Sequence, residues 1–62
     1  MSQSALGRIL VVDDELNIAD SVRRALERLG YAVDVASDPE QAWSKLEQTM
    51  PEVVICDVRL HE

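Results

Sequence analysis

The chain has 62 residues, a formal net charge of −6 and a single cysteine. A chain this short forms at most one domain and buries only about 60% of the surface that it exposes when unfolded. The acidic balance argues against nucleic acid, whose phosphates are neutralised by Lys and Arg, and against anionic membrane surfaces. Residues 1–7 are small and mostly polar, which predicts a disordered lead-in. With neither a signal-peptide pattern nor a long apolar run, a cytoplasmic location is expected.

The first predicted element is a strand over residues 8–13. Ile9, Leu10, Val11 and Val12 are apolar without alternation, which is typical of a strand buried on both faces of a parallel sheet. Asp13 and Asp14 follow at the carboxyl end of this strand, the edge where open α/β sheets bind ligands. Taken alone, the pair could simply begin the next helix, with Asp14 as its N-cap.

A helix is predicted over residues 15–29. Its apolar residues recur at the helical period and form one stripe, expected to face the core: Ile18, Val22, Ala25, Leu26 and Leu29. Gly30 is expected to end the helix in a left-handed conformation.

The second half of the chain predicts strand, helix and strand. Residues 31–36 alternate around Asp34, which suits an edge strand with one wet face. Asp38 or Ser37 is expected to cap a helix over residues 39–48, and Trp43 to be a partly buried packing residue beside its core stripe. Residues 53–57 form a third strand, a second apolar run that ends on an acid, Asp57.

The predicted element order is therefore β-α-β-α-β. Right-handed crossovers place the two helices on opposite faces of the sheet when the strand order is 2-1-3. The first strand is then central, and the switch point lies between the first and third strands. The sequence thus predicts that Asp13, Asp14 and Asp57 meet in one acidic pocket.

Three carboxylates in one pocket repel one another unless a positive charge enters. Mg²⁺ is a suitable partner because it binds one or two carboxylates together with waters and phosphate oxygens. A carboxylate can also act as a nucleophile toward a phosphoryl group and form an aspartyl phosphate. The acidic pocket therefore predicts Mg²⁺ binding and phosphoryl chemistry.

These patterns resemble the bacterial two-component response-regulator receiver domain. The resemblance is carried by Ile9-Leu-Val-Val-Asp-Asp-Glu15, the Gly30-Tyr31 helix exit, Ser37-Asp-Pro-Glu-Gln-Ala42 and Val53-Val-Ile-Cys-Asp-Val-Arg-Leu60. It implies a flavodoxin-like α/β fold with a parallel sheet and a signalling role rather than an enzymatic one.

The resemblance also implies roles for particular residues. Asp57 would be the phospho-acceptor, with a histidine kinase as the phosphoryl donor. Asp14 would bind Mg²⁺ directly and Asp13 mainly through water, while the backbone carbonyl of Arg59 would be a further metal ligand.

The chain departs from the family pattern in length. Receiver domains have about twice as many residues, with five strands and five helices. Residues 8–62 therefore resemble the first half of a receiver domain, and are expected to form a truncated receiver domain. The later hydroxyl residue and lysine of the family have no counterpart, because Lys45, the only lysine, lies on the second helix. His61 stands where the family usually has proline. A receiver truncated in this way is expected to be unable to switch alone.

The third strand is apolar on both faces, and without a further strand beside it the sheet would end on an exposed edge. We therefore expect self-association, as a twofold antiparallel pairing of third strands, or pairing with a complementary half-domain. A self-associating half-domain without signalling activity is the alternative function. A small-molecule phosphatase fits less well, because those enzymes carry a D-x-D motif and here Asp13 and Asp14 are adjacent.

Overall fold

The structure, a computed structural model, describes residues 6–56. The elements in chain order are β1 (Arg8–Val12), α1 (Leu16–Arg28), β2 (Ala32–Ala36), α2 (Pro39–Thr49) and β3 (Val53–Cys56). The strands form one parallel sheet in the order β2-β1-β3. The predicted α/β class, element order and central position of the first strand are confirmed.

β1 is the central strand of the sheet, with a neighbouring strand on each side, and its side chains form much of the core. Val12 is in register with Ala36 of β2 and with Cys56 of β3. Leu10 is 0% exposed, and Ile9 and Val11 are almost as deeply buried. An apolar run without alternation thus gives a strand covered on both faces, as the sequence predicts.

α1 covers the face of the sheet that carries Ile9 and Val11. These two side chains form a cluster with Ala19, and Val22 and Leu26 of the helix pack against it. The predicted stripe is wrong at its other members: Ile18 and Leu29 are 42% and 65% exposed, and Ala25 is exposed as well. The core face of α1 is rotated toward Ala19, whose small side chain lets the helix lie close to the sheet.

α1 is terminated by a glycine, as predicted: Gly30 directly follows the C-cap residue Leu29. Gly30 has φ +107°, and its N–H donates to the carbonyl of Glu27 at 3.0 Å. The N–H of Tyr31 donates to the carbonyl of Leu26 at 3.2 Å. This pair of hydrogen bonds is the Schellman motif, which satisfies carbonyls at the end of a helix and favours glycine at the left-handed position.

α2 lies against β1 and β2 on the opposite face, over Leu10 and Ala36. Its predicted cap is present: the Asp38 side chain accepts a hydrogen bond from the N–H of Gln41 at 2.8 Å. The Gln41 side chain in turn accepts one from the N–H of Ser37 at 3.0 Å. The expectation for Trp43 is wrong, since it is 68% exposed, and α2 contains no fully buried residue.

β3 is paired with β1 and is an edge of the sheet within residues 6–56. Its apolar side chains are exposed: Val53 by 50%, Val54 by 45% and Ile55 by 40%. The sequence predicts this exposure for a third strand that lacks an outer neighbour. No helix in the described part of the chain is both long and apolar enough to span a membrane.

Candidate functional site

The candidate site begins where β1 ends. Asp13 and Asp14 directly follow Val12, and Val12 is in register with Cys56 of the neighbouring parallel strand. The next residue after Cys56 in the sequence is Asp57. Asp57 and Arg59, both predicted to belong to the site, lie outside the described residues, as does His61.

Asp13 is held at both its backbone and its side chain. Its N–H donates to the carbonyl of Ala36 at 3.1 Å, which extends the pairing of β1 with β2 by one residue. Its Oδ1 accepts a hydrogen bond from the N–H of Glu15 at 2.9 Å, the arrangement known as an Asx turn. The residue is only 5% exposed, so its carboxylate is fixed at the edge of the sheet.

Asp14 has a different environment from Asp13, because it is exposed. The prediction that Asp14 caps α1 is wrong: the helix begins at Leu16, Glu15 occupies the N-cap position, and no side chain caps this end. The chain makes its turn through Asp13 before the helix starts. The Asp14 carboxylate is therefore left at the surface beside the buried Asp13.

The pair has the chemistry of a hard-cation site. Mg²⁺ is usually bound by one or two carboxylates, with waters completing its octahedron, and one buried and one exposed aspartate match that donor set. Among residues 6–56 no group of three potential metal ligands occurs. The described residues thus supply two carboxylates, and any third ligand has to come from elsewhere.

Two backbone groups that bond to Asp13, the Glu15 N–H and the Ala36 carbonyl, were not predicted from the sequence. The Glu15 N–H could have been predicted, because Asp side chains often accept a hydrogen bond from the backbone N–H two residues later in the chain. The Ala36 carbonyl depends on the pairing of β1 with β2, which residue patterns do not report.

A concave region lies between α1 and β2 and includes neither Asp13 nor Asp14. It is a groove of about 480 Å³ lined by Leu16, Asn17, Asp20, Arg23, Val33, Asp34 and Val35. Arg23 is already bonded to Asp20 and, at 3.0 Å, to Glu27. The hydrogen bond from Arg23 lowers the pKa of Asp20 and raises the pKa of Arg23. The charged side chains of this groove are thus already paired, Asp20 and Arg23 within α1 and Asp34 of β2 with Arg8 of β1 at 3.0 Å.

Comparison with known proteins identifies the family. Residues 9–62 match the family model described as the response regulator receiver domain. The chain is 47% identical over 53 residues to the alkaline phosphatase synthesis transcriptional regulatory protein PhoP of Bacillus subtilis, covering 86% of this chain and 22% of that protein.

Two further relatives agree. The probable transcriptional regulator ycf27 of Guillardia theta is 42% identical over 53 residues, 86% of this chain and 21% of that protein. The response regulator MprA of Mycolicibacterium vanbaalenii is 40% identical over 53 residues, 86% of this chain and 23% of its own length. The chain therefore spans about a fifth of these relatives, and it belongs to the response regulator receiver domain family.

Proposed function

We propose that this chain is the phospho-acceptor part of a two-component response-regulator receiver, with Asp57 as the residue that takes the phosphoryl group. The observation that carries the proposal is the register of the sheet. Val12 and Cys56 are paired partners that end adjacent parallel strands at the ligand-binding edge of the sheet, and each is followed in sequence by an aspartate. Family membership supports the same assignment.

The proposed step is nucleophilic displacement at phosphorus. A carboxylate oxygen of Asp57 forms a bond to the phosphorus, and the bond between phosphorus and the donor breaks. With a phosphohistidine donor the leaving group is the imidazole of the kinase; with acetyl phosphate it is acetate. The chain is the acceptor in this transfer and is not proposed to be an enzyme.

Asp13 and Asp14 are proposed to hold Mg²⁺ beside the acceptor, Asp14 directly and Asp13 mainly through water, with the Arg59 carbonyl as a further ligand. Bound Mg²⁺ would offset the negative charge of the incoming phosphoryl group. The different environments of the two aspartates support this division, because Asp13 is buried and already accepts a hydrogen bond whereas Asp14 is exposed.

The proposal is tested by incubating the chain with acetyl phosphate and Mg²⁺ and measuring its intact mass. We expect one phosphoryl adduct, absent in Asp57→Ala and strongly reduced in Asp14→Asn or when EDTA replaces Mg²⁺. Glu52→Gln is the matched control, since it removes an exposed carboxylate at the opposite end of β3. An adduct that persists in Asp57→Ala, or none in the unaltered chain while Mg²⁺ is bound, would contradict the proposed acceptor.

For the natural partner we propose a histidine kinase. We also propose that the reaction takes place in the cytoplasm. The transcriptional roles in the names of the relatives belong to proteins of which this chain spans about a fifth. For this chain the proposal is limited to accepting the phosphoryl group, and we propose that residues 8–62 do not switch on their own.

Self-association is the second candidate function, and the exposure of β3 favours it. Val53, Val54 and Ile55 present apolar surface on both faces of the strand, and β3 contains no charged residue. Two copies could therefore pair these strands antiparallel about a twofold axis without opposing like charges. We expect sedimentation at micromolar concentration to show a dimer that Ile55→Lys dissociates; a monomer with native circular dichroism would exclude this role.

A further inference from the structure

We propose that the backbone N–H of Glu15 sets the cation selectivity of the acidic pair, favouring Mg²⁺ over Ca²⁺. This inference rests on the proposed function, because it concerns the same cation site. The group involved is an amide, so the proposal assigns no role to the Glu15 side chain.

The geometry starts from the buried carboxylate. Oδ1 of Asp13 accepts the Glu15 N–H at 2.9 Å, and Asp13 is 5% exposed. In the described part of the chain no buried side-chain oxygen lacks a hydrogen-bond partner. Oδ2 of Asp13 accepts no hydrogen bond from these residues, so it is the carboxylate oxygen left for a cation.

The backbone on either side makes this arrangement rigid. The N–H of Asp13 is bonded to the Ala36 carbonyl at 3.1 Å, which fixes the start of the turn. The carbonyl of Glu15 accepts from the N–H of Ala19 at 3.0 Å, which fixes its end in the first turn of α1. Rotating the Asp13 carboxylate toward a cation would therefore break its bond with Glu15, since neither end of the turn can follow.

The two cations differ in how many oxygens of a carboxylate they coordinate. Mg²⁺ accepts single oxygens and keeps several waters, whereas Ca²⁺ takes six to eight oxygens and often binds a carboxylate through both. An Asp13 restricted to one oxygen suits Mg²⁺ directly or through water. Ca²⁺ would have to give up a ligand or break a hydrogen bond to a charged group, which is among the stronger kinds in proteins.

The test replaces this N–H by an oxygen and keeps every side chain. At 62 residues the whole chain can be made by chemical synthesis, with the amide that precedes residue 15 replaced by an ester. MgCl₂ and CaCl₂ are titrated separately by calorimetry. We expect the ratio of Mg²⁺ to Ca²⁺ affinity to fall about tenfold in the ester, as expected for losing a charge-assisted hydrogen bond, and to change less than twofold in Glu15→Ala, which keeps the N–H.

A second measurement uses the unaltered chain and does not depend on the ester folding. Hydrogen exchange of the Glu15 amide is followed by NMR with each cation bound. We expect protection to persist with Mg²⁺ and to fall with Ca²⁺; equal protection, or an unchanged affinity ratio in a folded ester, would overturn the inference alone. Failure of the unaltered chain to bind Mg²⁺ would overturn the proposed cation site together with it.

Discussion

Leu10→Ala tests the central position of β1 in the core. Leu10 is 0% exposed and is the largest fully buried side chain in the described range. Leu→Ala changes at such sites cost about 3–5 kcal/mol, because transfer free energy is lost and a cavity remains. A chain of 62 residues has a free energy of unfolding of about 3–9 kcal/mol in total. We therefore expect this one substitution to remove a third or more of the stability.

The assay is urea unfolding followed by circular dichroism at fixed chain concentration. With a slope of about 1 kcal/mol per molar urea for a small protein, the midpoint should fall by about 3–5 M or the chain should be unfolded without urea. Val54→Ala is the matched control, since Val54 pairs with Leu10 but is 45% exposed, and it should cost less than about 1 kcal/mol. Equal shifts for the two variants would refute the assignment of Leu10 to the core.

Three further predictions concern helix ends and a surface ion pair, and the first two are also read from urea midpoints. Asp38→Ala removes the acceptor for the Gln41 N–H and should cost about 1 kcal/mol; an unchanged midpoint would show that the cap contributes nothing. Gly30→Ala should destabilise by about 1 kcal/mol and Met50→Gly should stabilise by a similar amount, because both positions have positive φ, +107° and 49°; shifts of the same sign would contradict this. The pKa of Asp20 is lowered from 3.8 by its hydrogen bond from Arg23, so the stability that this pair contributes is present above pH 3.8 and is lost as pH falls through the lower, folded-state pKa. NMR titration of Asp20 should show the low pKa, and Arg23→Gln should return it toward 3.8.

The sheet order followed from the sequence because two independent rules agreed. The apolar run of β1, without alternating polar residues, indicated a strand buried on both faces of the sheet. The right-handed crossover rule then left 2-1-3 as the strand order that places helices on both faces. The rotation of α1 did not follow, because periodicity locates an apolar arc without saying which part meets the sheet. Ile18 ranks above Ala19 in hydrophobicity, yet Ala19 is the buried residue.

The acidic pair was recognised from the sequence, but the roles of its two members in the turn were not. Asp14 was predicted to cap α1, since it stands just before the helix. In the structure the N-cap position is Glu15 and no side chain caps the helix, because the backbone hydrogen bond from Asp13 to Ala36 carries the pairing of β1 one residue further. That bond joins residues distant in sequence and therefore leaves no local signal.

The central place of β1 also affects how the chain is made. Both neighbours of this strand are synthesised after it, and Val12 can meet Cys56 only after α1, β2 and α2 have been made. At about 5–20 residues per second, β1 is synthesised seconds before its second neighbour. During that interval one of the most apolar segments of the chain has an unoccupied edge, and pairing between distant segments is slow even once both are present. The strand that organises the finished sheet is thus also the strand that waits longest for all of its neighbours during synthesis.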